Sequence, residues 1–364
     1  MRIRRLNPVQ LNVQEDVRKL KVLLRLALRH MTPAKLRNFA LLEAEMLLRR
    51  RRLRGLPYFL KVEPTNRCNL RCPLCPQVTG YCQVKGAEGA VYGVMPFELY
   101  ARIIDELSPR LFCVLLYGQG EPFLAGDIFR MIRHARERNL GTMISSNLNI
   151  ARDGFAEEVV ESGLDYLEVS LDGADQKAYG EFRVGGDFEL VRGNLVRIVE
   201  AKRRLRRAAP RVEWKFIVMR HNEHQLDRAR AMAREIGVDY LTFTPVGNID
   251  PSRRDLLEKW VATDPRYSQY DVSAGVDMRA ARAKKVCPWL YRSASINCDG
   301  TVSPCCYYPN FPQAVFGDLR KEGFGAVWNN DFYTSARAIC NRKLLPQIGE
   351  RAGICYLCRR AEGA

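Results

Sequence analysis

The sequence predicts an α/β protein: a partial (β/α)6 TIM-like barrel with a basic helical extension before it and a small Cys-rich unit after it. Three observations predict it. Between residues 58 and about 245, six strand-like runs alternate with helical runs, and such alternation builds a parallel sheet with helices outside it. Residues 1–57 hold fifteen Lys/Arg against four Asp/Glu, so most of the net charge of +17 sits there. Seven of the twelve cysteines fall after residue 286, in a stretch also rich in Gly and Pro.

Residues 13–54 read as helix. Val17, Leu20, Leu24, Leu28 and Met31 recur at three- and four-residue spacing, and Arg18, Lys21, Arg25 and Arg29 form a second stripe of the same period. Thr32-Pro33 is a helix start, and the run after it ends in LLRRRRLRG at 47–55. Two readings stay open. One is an amphipathic basic element that rests on an anionic membrane or meets an acidic partner. The other is a helical pair packed on the main domain with a solvated basic face. Nucleic acid is not favoured, because no recognition motif or interleaved aromatics accompany the charge.

The strand runs are 58–63, 111–118, 141–147, 165–173, 212–219 and 238–247, with helices near 96–107, 127–138, 153–162, 188–207 and 223–236. Right-handed crossovers curl such a sheet into an open barrel, whose active site lies on the loops after the strand C-termini. Residues 251–285 read as a charged, weakly patterned linker. In the unit 286–364, SASINCDGTVSPC (293–305) reads as a hairpin turning at Asp299-Gly300. Residues 317–339 read as a loop and helix before the closing CYLC. The expected division is 1–57, 58–250, 251–285 and 286–364.

Composition bounds the class. At 364 residues, with 47% hydrophobic and 27% charged residues, the chain reads as soluble and globular. No run approaches the length of a membrane-spanning helix, and no secretory leader is evident. Twelve cysteines in a cytoplasmic chain are metal ligands sooner than disulfides.

The cysteines carry the chemistry. Cys68, Cys72 and Cys75 form C-x3-C-x2-C directly after the first strand. Thiolates are soft ligands for zinc, copper(I) or iron–sulfur. A closed zinc site needs a fourth ligand from elsewhere, whereas a [4Fe–4S] cluster on three cysteines keeps one iron open. Further motifs stand at later strand ends: Gly118-Gln119-Gly120-Glu121-Pro122, Ser145-Ser146-Asn147, and Ser170-Leu171-Asp172-Gly173 with Arg183 beyond it.

In these motifs, residues 58–250 resemble the radical S-adenosylmethionine (SAM) superfamily. The resemblance implies a [4Fe–4S] cluster on Cys68, Cys72 and Cys75, with SAM chelating its open iron. Backbone carbonyls of Gly118, Gln119, Gly120 and Glu121 would then receive the SAM ammonium. Ser146, Asn147, Ser170, Asp172 and Arg183 would serve the ribose and carboxylate. One departure is Leu74, where the family usually has an aromatic residue before the third cysteine. The spacing from Cys287 to Gly300 to Cys305, with Cys355-x2-Cys358 later, resembles the SPASM/twitch domains attached to many such enzymes. It implies one auxiliary [4Fe–4S] cluster on Cys287, Cys305, Cys355 and Cys358. Cys306 is an alternative to Cys305, and zinc closed by the same four thiols is the competing occupant.

The expected activity is reductive cleavage of SAM to a 5′-deoxyadenosyl radical that takes hydrogen from a substrate, with an external reductant such as flavodoxin or ferredoxin. The basic extension favours a lipid or cell-envelope glycan substrate. Alternatives are a peptide-modifying enzyme, a small-molecule (sugar alcohol) dehydrogenase, or a non-catalytic iron–sulfur electron carrier. No catalytic acid or base is assigned. The expected compartment is cytoplasmic, with or without a peripheral contact at the inner face of the membrane. Cys113 reads as a core residue, Cys82, Cys298 and Cys340 as structural thiols, and His221 and His224 as structural.

Overall fold

The computed structural model describes residue 22 and residues 24–79, 93–278, 286–305, 312–339 and 348–361. Cys82, Cys306, Cys340, most of the glycine-rich segment 80–93 and the first part of the expected N-terminal helix lie outside the described residues. Six strands form a continuous parallel arc: β1 (Phe59–Val62), β2 (Cys113–Leu116), β3 (Gly141–Ser146), β4 (Tyr166–Ser170), β5 (Arg211–Val218) and β6 (Tyr240–Pro245). Each pairs with the next in parallel. All six fall where the hydrophobic runs place them.

The helices after α1 (Pro33–Leu47) are α2 (Phe97–Leu107), α3 (Ile128–Glu137), α4 (Phe155–Glu161), α5 (Gln176–Phe182), α6 (Phe188–Arg204) and α7 (Leu226–Ile236). Asp175 and Asp187 cap α5 and α6 by accepting from Ala178 N and Leu190 N, which satisfies amides the first turn leaves open. Helix α5 and the following α8 (Arg254–Trp260) have no counterpart in the expected elements. Each spans seven residues. Two residues each, β7 (Tyr270–Asp271) and β8 (Val276–Asp277) pair separately.

Side chains alternate across the arc. Leu60, Val62, Val114, Leu116, Ile144, Leu167, Val169, Val212, Trp214 and Phe216 are fully buried in the main apolar core. The other face is polar. Ser145 donates to Glu168 at 2.8 Å, Lys215 meets the same carboxylate at 3.3 Å, and Tyr166 and Thr242 both donate to Glu213. The concave side of the arc is thus lined by hydrogen-bonding groups.

The Cys-rich unit is joined to this sheet. Strands β9 (Ser293–Ile296) and β10 (Thr301–Ser303) form the expected hairpin, and β10 pairs with β11 (Gly317–Asp318). Gly300 turns the hairpin with φ of 87°, a conformation open to glycine. Strand β9 also pairs in parallel with β1, Ser293 opposite Phe59 and Ser295 opposite Lys61. The result is a nine-stranded sheet in the order β11-β10-β9-β1-β2-β3-β4-β5-β6. Helices α9 (Phe324–Trp328), α10 (Asp331–Ala338) and α11 (Ile354–Ala361) complete the chain.

The N-terminal extension lies against the N-terminal ends of the strands. Leu26 packs over Gly141 at the start of β3, and Arg29 pairs with Asp165 at 2.6 Å, just before β4. Lys35 on α1 donates to Asn139 O at 2.6 Å. This is the opposite end of the barrel from the cysteine motif. Among the described residues no helix is long and apolar enough to cross a membrane.

Candidate radical-chemistry site at the strand C-termini

The cysteine loop leaves β1 through Glu63-Pro64-Thr65 and folds back on itself. Cys75 N donates to Cys72 O at 2.9 Å, and a helical turn, Pro76–Thr79, begins immediately after. Leu70, Cys72 and Leu74 are buried in a second apolar cluster with Phe182, Met219 and Trp260. Leu74, the atypical residue, therefore anchors the loop to the barrel. Burial pushes the Cys68 thiol up to about 11, with Glu121, Cys72 and Cys75 as further charge neighbours that disfavour its ionisation. Thiols so placed ionise readily only when a cation offsets the charge.

The sequence-predicted partners converge on this loop. Asn147 points its amide at Cys68 Sγ at 3.7 Å and at Asn69 Oδ1 at 2.9 Å. Arg183 reaches Cys72 Sγ at 3.7 Å. Asp172, fully buried, holds Arg183 through Nε at 2.6 Å and accepts from Ile217 N at 2.6 Å. Burial works against the Arg183 charge, but Asp172 and the Cys72 sulfur more than reverse that.

Glu121 and Ser146 face inward. Ser146 donates to Glu121 Oε1 at 2.8 Å, Asn147 N donates to Oε2 at 2.7 Å, and Phe123 N donates to Oε1 at 3.1 Å. Burial pushes the Glu121 carboxyl up to about 7, against the pull of those hydrogen bonds. Its visible role is to lock the loop after β2 to the end of β3. Ser170, half-buried, ends β4 on the polar concave face.

Gly120 shows why that loop carries glycine. A Cβ there would stand 2.3 Å from Thr65 O and 2.5 Å from Arg67 O, both backbone atoms. The contact is held by Glu121 N donating to Arg67 O at 2.8 Å. Gly120→Ala is expected to destabilise the fold by about 1–3 kcal/mol, the usual cost of overpacking, and to weaken SAM binding. Denaturant unfolding and equilibrium SAM titration of the variant would measure both.

Two contributors escaped the motif reading. Glu63, buried at the end of β1, accepts from Gln119 N at 2.8 Å and from Cys298 N at 3.4 Å. It ties the glycine loop to the turn of the C-terminal hairpin, and burial raises its carboxyl above the ordinary range. Its one sequence signal is an acidic residue closing the apolar run YFLKVE. Asn69, inside the cysteine motif, donates to Asn149 O at 2.8 Å and so fastens the motif to the loop after β3.

In the C-terminal unit, Cys355 and Cys358 lie three residues apart on α11, hence on one face of the helix. Cys287, Cys305, Cys355 and Cys358 are each half-buried. Cys305 and Cys355 both lie close enough to the buried Tyr333 hydroxyl to help burial raise its pKa. Cys298 and Cys113 are buried, as expected of core thiols, and His221 packs edge-on against Trp260. No disulfide joins the described cysteines. Nor do any three Cys, His, Asp or Glu side chains among the described residues stand together as a site for a single metal ion. The donor set itself, three soft thiols in one loop beside Asn147 and Arg183, fits an iron–sulfur cluster with an open position.

Comparison with known proteins agrees. The model of the radical SAM superfamily matches residues 62–233, and that of the SPASM iron–sulfur cluster-binding domain matches residues 287–359. The tungsten-containing aldehyde ferredoxin oxidoreductase cofactor-modifying protein of Pyrococcus furiosus is 22% identical, over 79% of this chain and 85% of its own. The PqqA peptide cyclase of Gluconobacter oxydans is 23% identical, over 75% of this chain and 76% of its own. The crystal structure of Streptococcus suis SuiB bound to its precursor peptide SuiA shares the fold, with a TM-score of 0.56 at 16% identity, covering 81% of this chain and 69% of SuiB.

Proposed function

Because the chain is a radical SAM enzyme with a C-terminal SPASM domain, we propose that it abstracts hydrogen from a peptide and thereby modifies it. Its cofactors are SAM, a SAM-binding [4Fe–4S] cluster and auxiliary iron–sulfur, and it needs an external reductant. When bound and reduced, the first cluster with SAM supplies a 5′-deoxyadenosyl radical. Cys68, Cys72 and Cys75 would hold that cluster, Arg183 and Asn147 would orient its sulfur ligands, and the Gly118–Glu121 loop would admit SAM by close backbone approach. Cys287, Cys305, Cys355 and Cys358 would hold the auxiliary site. Flavodoxin or ferredoxin would suit as reductant.

The observation that carries the peptide reading is the polar concave face. Ser145, Ser170 and Lys215 line it part-buried, around the buried Glu168 carboxylate. Polar groups that a bound ligand would cover must be matched by hydrogen bonds, so a ligand rich in donors and acceptors suits this wall. Peptide backbone does, and an acyl chain does not. That argues against the lipid substrate expected from the basic extension, and a relative named as a peptide cyclase turns the reading from glycan to peptide.

The test is anaerobic incubation of reconstituted enzyme with SAM, reductant and cell extract separated into peptide, lipid and glycan fractions. The peptide fraction is expected to accelerate 5′-deoxyadenosine formation and to contain a species of altered mass. Acceleration by the lipid or glycan fraction alone would sink the peptide reading.

A further inference from the structure

Helix α1 is inverted. Its buried face carries Lys35, Asn38 and Glu45, with Leu42 the apolar member. Each polar group there has a specific partner. Lys35 donates to Asn139 O at 2.6 Å, and Asn38 exchanges hydrogen bonds with the Leu56 backbone at 2.8 and 2.9 Å. Glu45 accepts from Arg54 N and Gly55 N at 2.8 and 3.1 Å. The outward face is apolar: Leu36 is 52% exposed, Leu47 78% and Leu48 66%. In the helical stretch before it, Val22 and Leu26 are buried, but Leu24 and Leu28 stay 53% and 62% exposed beside the exposed Arg25 and Arg29, which bond Tyr240 and Asp165. A helix on a globular protein ordinarily covers its apolar face, the reverse of α1, and exposed apolar surface of this kind marks a contact.

The charge beside it identifies the contact. Leu47 and Leu48 run directly into Arg49, Arg50, Arg51 and Arg52, all exposed, with Arg54 beyond. The backbone of this run is fixed from within. Arg337, itself buried, donates to Arg51 O at 3.0 Å, and Asn329 exchanges hydrogen bonds with the Leu53 backbone at 2.8 and 2.9 Å. The two acidic residues of α1 are turned inward, Glu43 onto Arg292 at 2.5 Å and Glu45 as above. Leucines with a cationic rim and no outward carboxylate on the same helix are thus held on a rigid base.

We propose that this face docks on an anionic lipid bilayer, with Leu47 and Leu48 entering the headgroup boundary and the arginines facing acidic headgroups. Apolar burial and attraction to anionic lipid act together in such contacts, and each basic residue near the surface adds about fivefold in affinity. The cysteine motif lies at the other end of the strands, so docking leaves its mouth open to a water-borne substrate.

Sedimentation of the full reconstituted enzyme with vesicles tests this. Vesicles of phosphatidylcholine with phosphatidylglycerol are expected to carry the protein down, and phosphatidylcholine alone is not. Molar salt should release it, since the screening length falls to about 3 Å. Leu47→Ser with Leu48→Ser should weaken binding at least about tenfold, and serine at positions 49–52 about a hundredfold or more. Both variants should cleave SAM as the parent does, which reports that they are folded. Failure of the parent to bind phosphatidylglycerol vesicles at low salt would overturn the proposal. So would leucine variants that bind as tightly as the parent. Conversion of a dimer to a monomer by the leucine substitutions would assign the face to a second copy instead.

Discussion

Replacing Cys72 by alanine is expected to abolish 5′-deoxyadenosine formation from SAM while leaving the chain folded. Cys72 is the most buried of the three motif thiols, and its sulfur accepts from Arg183 at 3.7 Å. On the proposed ligation its loss removes one of three protein ligands, and neither Cys68 nor Cys75 could stand in for it, because each would already occupy its own position. The fold should survive, since Leu70 and Leu74 keep the loop in its apolar cluster with Phe182 and Trp260. Anaerobic turnover, iron content and the visible absorbance of reconstituted protein would check this together. The matching control is Cys113→Ala. That thiol is fully buried in the main core, so its removal should cost stability without removing iron or activity. Full turnover by Cys72→Ala would place the cluster elsewhere in the chain.

The second large effect concerns the pair beneath the site. Asp172→Ala is expected to lower stability by about 3–5 kcal/mol, the cost of breaking a buried ion pair by removing one partner. The Asp172 side chain is fully buried and that of Arg183 only 14% exposed. Alanine would also strip the acceptor from Ile217 N, which Asp172 now serves at 2.6 Å. Arg183 would then be held beside Cys72 without its ion-pair partner. Two-state denaturant unfolding of Asp172→Ala, Arg183→Met and the double variant would measure the coupling. The double variant should be less damaged than the sum of the singles, because it leaves no stranded charge. Additive losses would show that the two side chains act separately. SAM titration of Asp172→Asn, which keeps an acceptor for Ile217, would separate the charge from the hydrogen bond.

The chemistry of this site was legible in the sequence because its parts are local. C-x3-C-x2-C, the glycine loop, Ser145-Ser146-Asn147 and the S-x-D-G strand end each occupy a few consecutive residues at the end of an apolar run. Period-two patterning locates such ends well. The role of Asp172 was less legible. Its position was clear, but only packing shows that it serves Arg183 and a backbone amide. Glu63 was missed for the same reason, since its partners, Gln119 and Cys298, lie 56 and 235 residues away.

The sequence by itself determined the six strands, the place of the cysteine motif after the first of them and the hairpin at Gly300. Each follows from short-range pattern and from the conformations single residues allow. Tertiary structure alone decided that this hairpin continues the barrel sheet beside β1, a pairing between segments more than two hundred residues apart. It also decided which side of α1 is covered. Periodicity can reveal that a helix has two faces, but only the packed fold shows that the polar one lies against the barrel and the leucines face out. The physical reason is one of range. Local patterns bias local backbone, whereas burial is set by whatever distant surface the fold brings alongside.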